Sequence, residues 1–141
     1  MRVLCGLALL SLIGLTTQAA LLDDHEGPHK GIVVEWGDEE YHAELVIDSK
    51  AGSITAYIYG NDADLKAAKV KPIDSKSLTL ALKTTPPTTV KLEPAPEKDD
   101  PKGKSSKFTA KNDVFTKDMK WTGTLAGKVG NKPYSGDFKQ K

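Results

Sequence analysis

Two histidines near the amino-terminal end of the chain are the residues best suited to chemistry. They lie in residues 23–29 (DDHEGPH), which carry two imidazoles and three carboxylates. Nitrogen and oxygen donors of this kind suit borderline metals. Gly27-Pro28 favours a bend that brings His25 and His29 together. The segment therefore predicts a weak divalent-metal site for Zn²⁺ or Cu²⁺.

His42 and Glu44 are the next candidate ligands along the chain. They are two residues apart in a segment with the alternation of a strand, so they share one face. If the start of the preceding strand passes His42, its imidazole supplies a third metal ligand, with Glu44 beside it. The alternative is that all of these side chains are solvated surface groups, as is common near the termini of exported domains.

Arrangements that would support catalysis are absent from the sequence. It contains neither a glycine-rich phosphate loop nor a nucleophile elbow. Glu39 and Glu40 are adjacent and fall in a predicted loop, so they do not form a facing carboxylate pair. The sequence predicts that the protein is not an enzyme.

Residues 1–19 have the pattern of a cleaved secretory signal peptide. Arg2 precedes an apolar run, and Thr17 and Ala19 are small residues suited to a cleavage site before Ala20. The alternative is a retained membrane anchor, but the acidic pair Asp23-Asp24 follows the run instead of a basic stop. Cleavage removes the single cysteine, Cys5. We expect a periplasmic or secreted protein that has no membrane association after cleavage.

Charge divides the remaining chain into two parts. Residues 20–101 hold 16 acidic residues and 9 lysines, a balance of −7, whereas residues 102–141 hold 10 lysines and 3 aspartates, a balance of +7. Either the two parts neutralise each other in the fold, or they mark a surface for another exported or envelope protein. Arg2 is the only arginine, and specific recognition of phosphates and bases favours arginine. We therefore expect no nucleic-acid partner.

Apolar residues alternate with polar ones over most of the chain, which predicts half-buried antiparallel strands. Two predicted hairpin loops, 37–40 and 49–52, join three strands into a meander. Gly130-Asn131 predicts a further hairpin, and Pro133 makes the last strand an edge. The strands are predicted at 31–36, 41–48, 53–59, 77–83, 122–129 and 132–138, with weaker ones at 70–73, 89–92 and 106–110.

These strands predict an all-β fold, a single antiparallel β-sandwich (Ig-like or similar) of about seven to eight strands. The domain covers residues 31–141 and includes a long polar loop at 93–105, while residues 20–30 form a flexible segment. Residues 62–69 are expected to form a turn or one helical turn. Trp36 and Trp121 are predicted in the core. Tyr57 and Tyr59 either cover a second sheet or form an exposed aromatic stripe for a partner.

Residues 29–46 (HKGIVVEWGDEEYHAELV) resemble a small exported bacterial β-domain. That domain opens with His-Gly-Gly, runs through a strand and an acidic turn, and continues with a Tyr-His-x-Glu-Leu strand. It occurs in exported proteins of unknown function and beside the periplasmic adaptor subunits of heavy-metal efflux pumps. The matching positions are His29, His42 and Glu44, and Lys30 replaces the first glycine. The resemblance implies a β-domain outside the cytoplasm that is linked to metal handling.

Together these features predict a non-catalytic exported β-domain that binds a divalent metal weakly. The predicted ligands are His25 and His29, with help from His42 or Glu44. The alternative is a structural or protein-interaction module with no ligand, which would use the Tyr57 and Tyr59 face or an exposed strand edge.

Overall fold

The computed structural model describes residues 26–141, so His25 and the predicted signal peptide lie outside the described residues. This part of the chain consists mainly of strands. They are β1 (Ile32–Trp36), β2 (Tyr41–Asp48), β3 (Ser53–Tyr59), β4 (Leu78–Leu82), β5 (Thr88–Pro94), β6 (Lys107–Lys111), β7 (Thr122–Val129) and β8 (Lys132–Lys139). One short helix, α1 (Asp62–Lys66), follows β3, and a 3₁₀ helix (Asp113–Thr116) precedes β7. The predicted helical turn at 62–69 is confirmed.

The eight strands of residues 26–141 form one antiparallel sheet in the order β1-β2-β3-β6-β5-β4-β7-β8. The two end strands lie side by side: a Cβ on Gly136 of β8 would come within 2.2 Å of the Glu35 carbonyl oxygen of β1. The strand order contains no hydrogen-bonded ladder between these two strands of the described chain. Packing therefore closes this seam between β1 and β8, and the sheet is nearly closed and barrel-like.

The predicted two-layer sandwich is not confirmed, because β5 joins what would have been the two layers. It pairs with β4 through residues 88–92 and with β6 through Glu93 and Pro94. The β1-β2-β3-β6 half of the sheet thus continues into the β4-β7-β8 half. Alternation of apolar residues indicates which side chains face inward, but not how far a sheet curves. The polar loop begins at Ala95, two residues later than predicted, because Glu93 and Pro94 extend β5 and pair with β6.

Alternate side chains of the strands fill the interior, as the period of two predicts. Trp36 and Trp121 are both buried, which confirms their predicted place in the core. The Trp36 indole Nε1 donates a hydrogen bond of 3.1 Å to the Leu125 carbonyl oxygen. Its ring stacks on that of Tyr134, with 5.8 Å between centroids, so Trp36 links β1 to both β7 and β8. Other core residues are Val34, Leu45, Ile54, Ile58, Leu78, Leu80, Leu92, Phe108, Phe115 and Phe138.

The connections largely match the predicted turns. Gly37, Gly52 and Gly130 have φ values of 59°, 62° and 60°, the left-handed conformation that favours glycine in tight hairpins. β8 is an end strand, so Pro133 lies at a sheet edge as predicted. Residues 70–73 are not a strand and form only single bridges to β3 and to Ser105. Within residues 26–141, no helix has the length and apolar character needed to cross a membrane.

Candidate functional site

The outward face of β2 is unusual because its polar side chains are buried. Ala43 and Leu45 point into the core, so His42 and Glu44 point away from it. Nevertheless, His42 is only 2% exposed and Glu44 is fully buried. Something outside the sheet must therefore cover this face. Over Glu44 the cover is a turn of the chain that precedes β1.

This N-terminal turn comprises residues 26–31. Glu26 forms a bridge with Ile32, and the backbone N–H of Lys30 donates to the Gly27 carbonyl oxygen at 2.8 Å. The two glycines allow the turn to lie directly on the sheet. A Cβ on Gly27 would come within 2.2 Å of the Glu44 carboxyl carbon, and one on Gly31 within 2.6 Å of the Leu45 carbonyl oxygen. Side chains at these positions would hold the turn away from β2.

The Glu44 carboxylate binds the turn through both of its oxygens. Oε1 accepts hydrogen bonds from the backbone N–H groups of His29, at 2.6 Å, and Gly31, at 3.0 Å. Oε2 accepts one from the Tyr59 hydroxyl at 3.1 Å and lies 2.8 Å from His29 Nδ1. A buried carboxylate is stable only when its lone pairs are satisfied, and these four contacts satisfy them.

The His29 ring is held in one orientation. Because a carboxylate can only accept hydrogen bonds, His29 Nδ1 carries the hydrogen and donates a hydrogen bond to Glu44. One face of the ring stacks on Tyr57, with 4.1 Å between centroids and 11° between planes. The side chain is nevertheless 46% exposed. In this tautomer the lone pair is on Nε2, on the side of the ring away from Glu44.

No family model, curated protein or solved structure matches this chain. The resemblance to exported bacterial β-domains therefore stays a prediction. What the site can do must be argued from its own geometry, which places His29, His42 and Glu44, the three predicted ligands within residues 26–141, in different environments.

His42 is placed apart from the hydrogen bonds that surround Glu44. Its Nδ1 lies 2.9 Å from the Gly60 carbonyl oxygen, at the end of β3, and the ring is buried. Within residues 26–141, no group of three or more His, Cys, Asp or Glu side chains is placed to hold a metal ion. Because His25 lies outside those residues, metal binding by His25, His29, His42 and Glu44 stays a prediction.

A cleft of about 580 Å³ borders His29. β1 pairs with only the first five residues of β2, so the last residues of β2 form one wall. The 3₁₀ helix and the segment that leads to β7 also line the cleft. The residues that line the cleft include Lys30, Ile32, Ile47, Phe115, Lys117, Asp118, Met119 and Trp121.

The two tyrosines have a role that the sequence did not reveal. The alternation of β3 correctly placed Tyr57 and Tyr59 opposite Ile54 and Ile58, but the two predicted alternatives were a second sheet over them or an exposed aromatic stripe. The observed cover of this outward face includes His29 of the N-terminal turn, which stacks on Tyr57, while Tyr59 donates to Glu44. Two features of the sequence could have indicated this arrangement. Glu44, Tyr57 and Tyr59 occupy neighbouring outward positions of β2 and β3, and two glycines, Gly27 and Gly31, precede them four residues apart.

Removal of the Tyr59 hydroxyl is expected to give a pH-dependent loss of stability. Burial, followed by the charge of Glu44, raises the pKa of this phenol well above its ordinary value of 10. The unfolded chain therefore loses its proton first, so this contribution is full below about pH 10 and is lost as the pH rises further. At pH 8, Tyr59→Phe should lower the free energy of unfolding by about 1.5–3 kcal/mol, the contribution of a hydrogen bond to a charged group.

Urea unfolding of the wild type and Tyr59→Phe between pH 8 and 11.5 tests this expectation. The difference between the two proteins should shrink above pH 10. Tyr41→Phe is the control, since Tyr41 makes no contact with Glu44, and its difference from the wild type should not follow the same course. A Tyr59→Phe difference that stays constant up to pH 11.5 would contradict the prediction.

Proposed function

We propose that this protein is a non-catalytic exported β-domain that binds a divalent metal ion weakly. His29 provides one ligand through Nε2, and His25, four residues earlier, provides the second. Zn²⁺ and Cu²⁺ are the expected ions, because both accept neutral imidazole. The other positions of the ion are filled by water or by oxygen donors.

The observation that carries this proposal is the hydrogen bond from His29 Nδ1 to the buried Glu44 carboxylate. Histidines that bind metals commonly donate their second ring N–H to a carboxylate, which fixes the tautomer and increases the basicity of the ligating nitrogen. Here the bond is 2.8 Å long, and the ring is also stacked on Tyr57. The His29 side chain is 46% exposed, so part of the ring is accessible to an ion from solvent.

In this proposal Glu44 and His42 support the site and do not bind the ion. Both oxygens of Glu44 accept hydrogen bonds from groups of the fold, so the carboxylate positions His29 and does not bind the ion itself. The His42 Nδ1 lies against the Gly60 carbonyl oxygen in a buried environment. His42 therefore supports the sheet face next to the site.

Export is part of the proposal because of the predicted signal peptide. In the periplasm or outside the cell, a weak surface site would exchange its ion with the medium or with another exported or envelope protein. The alternative is an interaction module without a ligand, acting through the tyrosine face or a strand edge. That alternative is less well supported, because Tyr59 is fully buried and the end strands β1 and β8 face each other.

Calorimetric titration of the exported protein with Zn²⁺ and Cu²⁺ tests the proposal. We expect His29→Gln to weaken binding at least 10-fold, since it removes one of two protein ligands. His25→Gln should have a similar effect, and the double variant should produce no heat beyond dilution. Glu35→Gln, at an exposed position of β1, is the control, and its affinity should equal that of the wild type.

Thermal melting of each variant shows whether it is folded before it is titrated. Binding of equal strength in the wild type and the folded double variant would overturn the proposal. If no heat is observed even for the wild type, the interaction module becomes the better description.

A further inference from the structure

Tyr57 contacts the same imidazole whose outer nitrogen is the proposed metal ligand. It is a half-buried residue of β3, and its ring lies parallel to that of His29, with 4.1 Å between centroids and 11° between planes. In the register of the sheet, Tyr57 is the direct neighbour of Glu44. Two adjacent residues therefore hold the imidazole from two directions, Glu44 at Nδ1 and Tyr57 over one face.

The backbone of Tyr57 is anchored on both sides by the sheet. It pairs with Glu44 of β2 and with Lys107 of β6. Its neighbours along the strand, Ala56 and Ile58, are fully buried in the core. The tyrosine ring is thus carried by a rigid part of the barrel, and the N-terminal turn brings the His29 ring onto it.

The face of a tyrosine ring carries partial negative charge, because its π electrons form a quadrupole with a negative face. A neutral imidazole gains little from this charge. When the imidazole binds a divalent ion, it takes up part of the positive charge of the ion, and a positively charged group over an aromatic face is attracted to it. The contact between Tyr57 and His29 is therefore stronger with the ion bound, and only such a difference between the two states changes affinity.

We infer that Tyr57 is a positioning residue of the metal site and that the negative face of its ring increases the affinity of His29 for the ion. This inference rests on the proposed function, because it concerns the same His29 nitrogen. It adds to that function an electronic contribution from a residue that is not a ligand. If Tyr57 acted by packing alone, only the size and shape of its ring would matter.

Fluorinated phenylalanines at position 57 separate these two roles. Tyr57→Phe is the reference, and fluorine atoms added to its ring nearly preserve the shape while they withdraw charge from the face. We expect the Zn²⁺ affinity, measured by calorimetric titration, to fall stepwise with each added fluorine. The fall should reach about 3–10-fold for the fully fluorinated ring, the loss expected for a cation–π attraction. The same series built on Tyr41→Phe is the control, since the Tyr41 ring packs against Tyr134, and its affinity should stay constant.

NMR of the metal-free protein gives a readout independent of affinity. The Tyr57 ring should shift the signals of the His29 ring protons upfield, and Tyr57→Leu should abolish this shift. The inference is overturned if Tyr57→Leu leaves the shift unchanged, or if the Zn²⁺ affinity is constant across the folded fluorinated series.

In either case the proposed function would stand as long as His29→Gln still weakens Zn²⁺ binding. A wild type that does not bind Zn²⁺, or that binds it equally well after His29→Gln, would instead remove the proposed function and the role of Tyr57 together.

Discussion

Replacing Glu44 with glutamine is expected to lower the free energy of unfolding by about 3–5 kcal/mol, the cost of removing one partner from a buried charged network. The carboxylate is fully buried and accepts from two backbone N–H groups, the Tyr59 hydroxyl and His29 Nδ1. A glutamine amide has nearly the same shape but only one acceptor oxygen. Whichever way the amide is turned, its NH₂ group faces hydrogen-bond donors and leaves them without an acceptor.

Urea unfolding followed by tryptophan fluorescence measures this effect, because Trp36 and Trp121 are both in the core. Glu35→Gln is the matched control: it makes the same chemical change on the neighbouring strand at an exposed position. We expect the control to change the stability by less than about 0.5 kcal/mol. A Glu44→Gln loss as small as that of the control would show that the buried hydrogen bonds around the carboxylate do not hold the turn.

Replacing Gly27 with alanine is expected to separate the N-terminal turn from the sheet. The new methyl group would lie within 2.2 Å of the Glu44 carboxyl carbon and 2.3 Å of its Oε1 atom, so either the turn or the glutamate must move. Overpacking of this kind costs about 1–3 kcal/mol. Metal affinity should fall about 10–100-fold, as is typical when the support behind a ligating histidine is lost.

Amide hydrogen exchange and a control variant distinguish local release of the turn from general destabilisation of the barrel. Amide hydrogen exchange should increase at His29 and Gly31, whose N–H groups bond to Glu44, while the strands of the barrel stay protected. Pro28→Ala is the control, because Pro28 is an exposed residue of the same turn. If Gly27→Ala binds metal as tightly as Pro28→Ala, the position of His29 does not depend on the close contact between turn and sheet.

The strands were predictable because each one buries a single face. Leu78, Leu80 and Leu82 alternate with polar residues, and this pattern places their strand and its orientation without further information. The closure of the sheet was not predictable in the same way. It depends on Glu93 and Pro94 pairing with β6 after the rest of β5 has paired with β4, and nothing in the residue types of a polar loop signals this change of partner.

Some residues of the candidate site were predictable from the sequence, but the tyrosines around them and the arrangement of the site were not. Spacing identified His29 as a candidate ligand and placed Glu44 with His42 on one strand face. It predicted Glu44 as an accessible metal ligand, because an outward carboxylate on a strand is normally solvated. The structure instead buries it under the turn, which is possible because Gly27 and Gly31 carry no side chains.

The seam between β1 and β8 joins parts of the chain that are far apart in sequence. The Trp36 to Leu125 hydrogen bond next to it spans 89 positions. Contacts of such long range form only after a large loss of chain entropy, so we expect the barrel to close late and slowly during folding. In the native state the seam lacks a hydrogen-bonded ladder, and β1 begins at Ile32, which also lines the cleft. Opening of this seam is therefore expected to move the start of β1 and, with it, one side of the cleft.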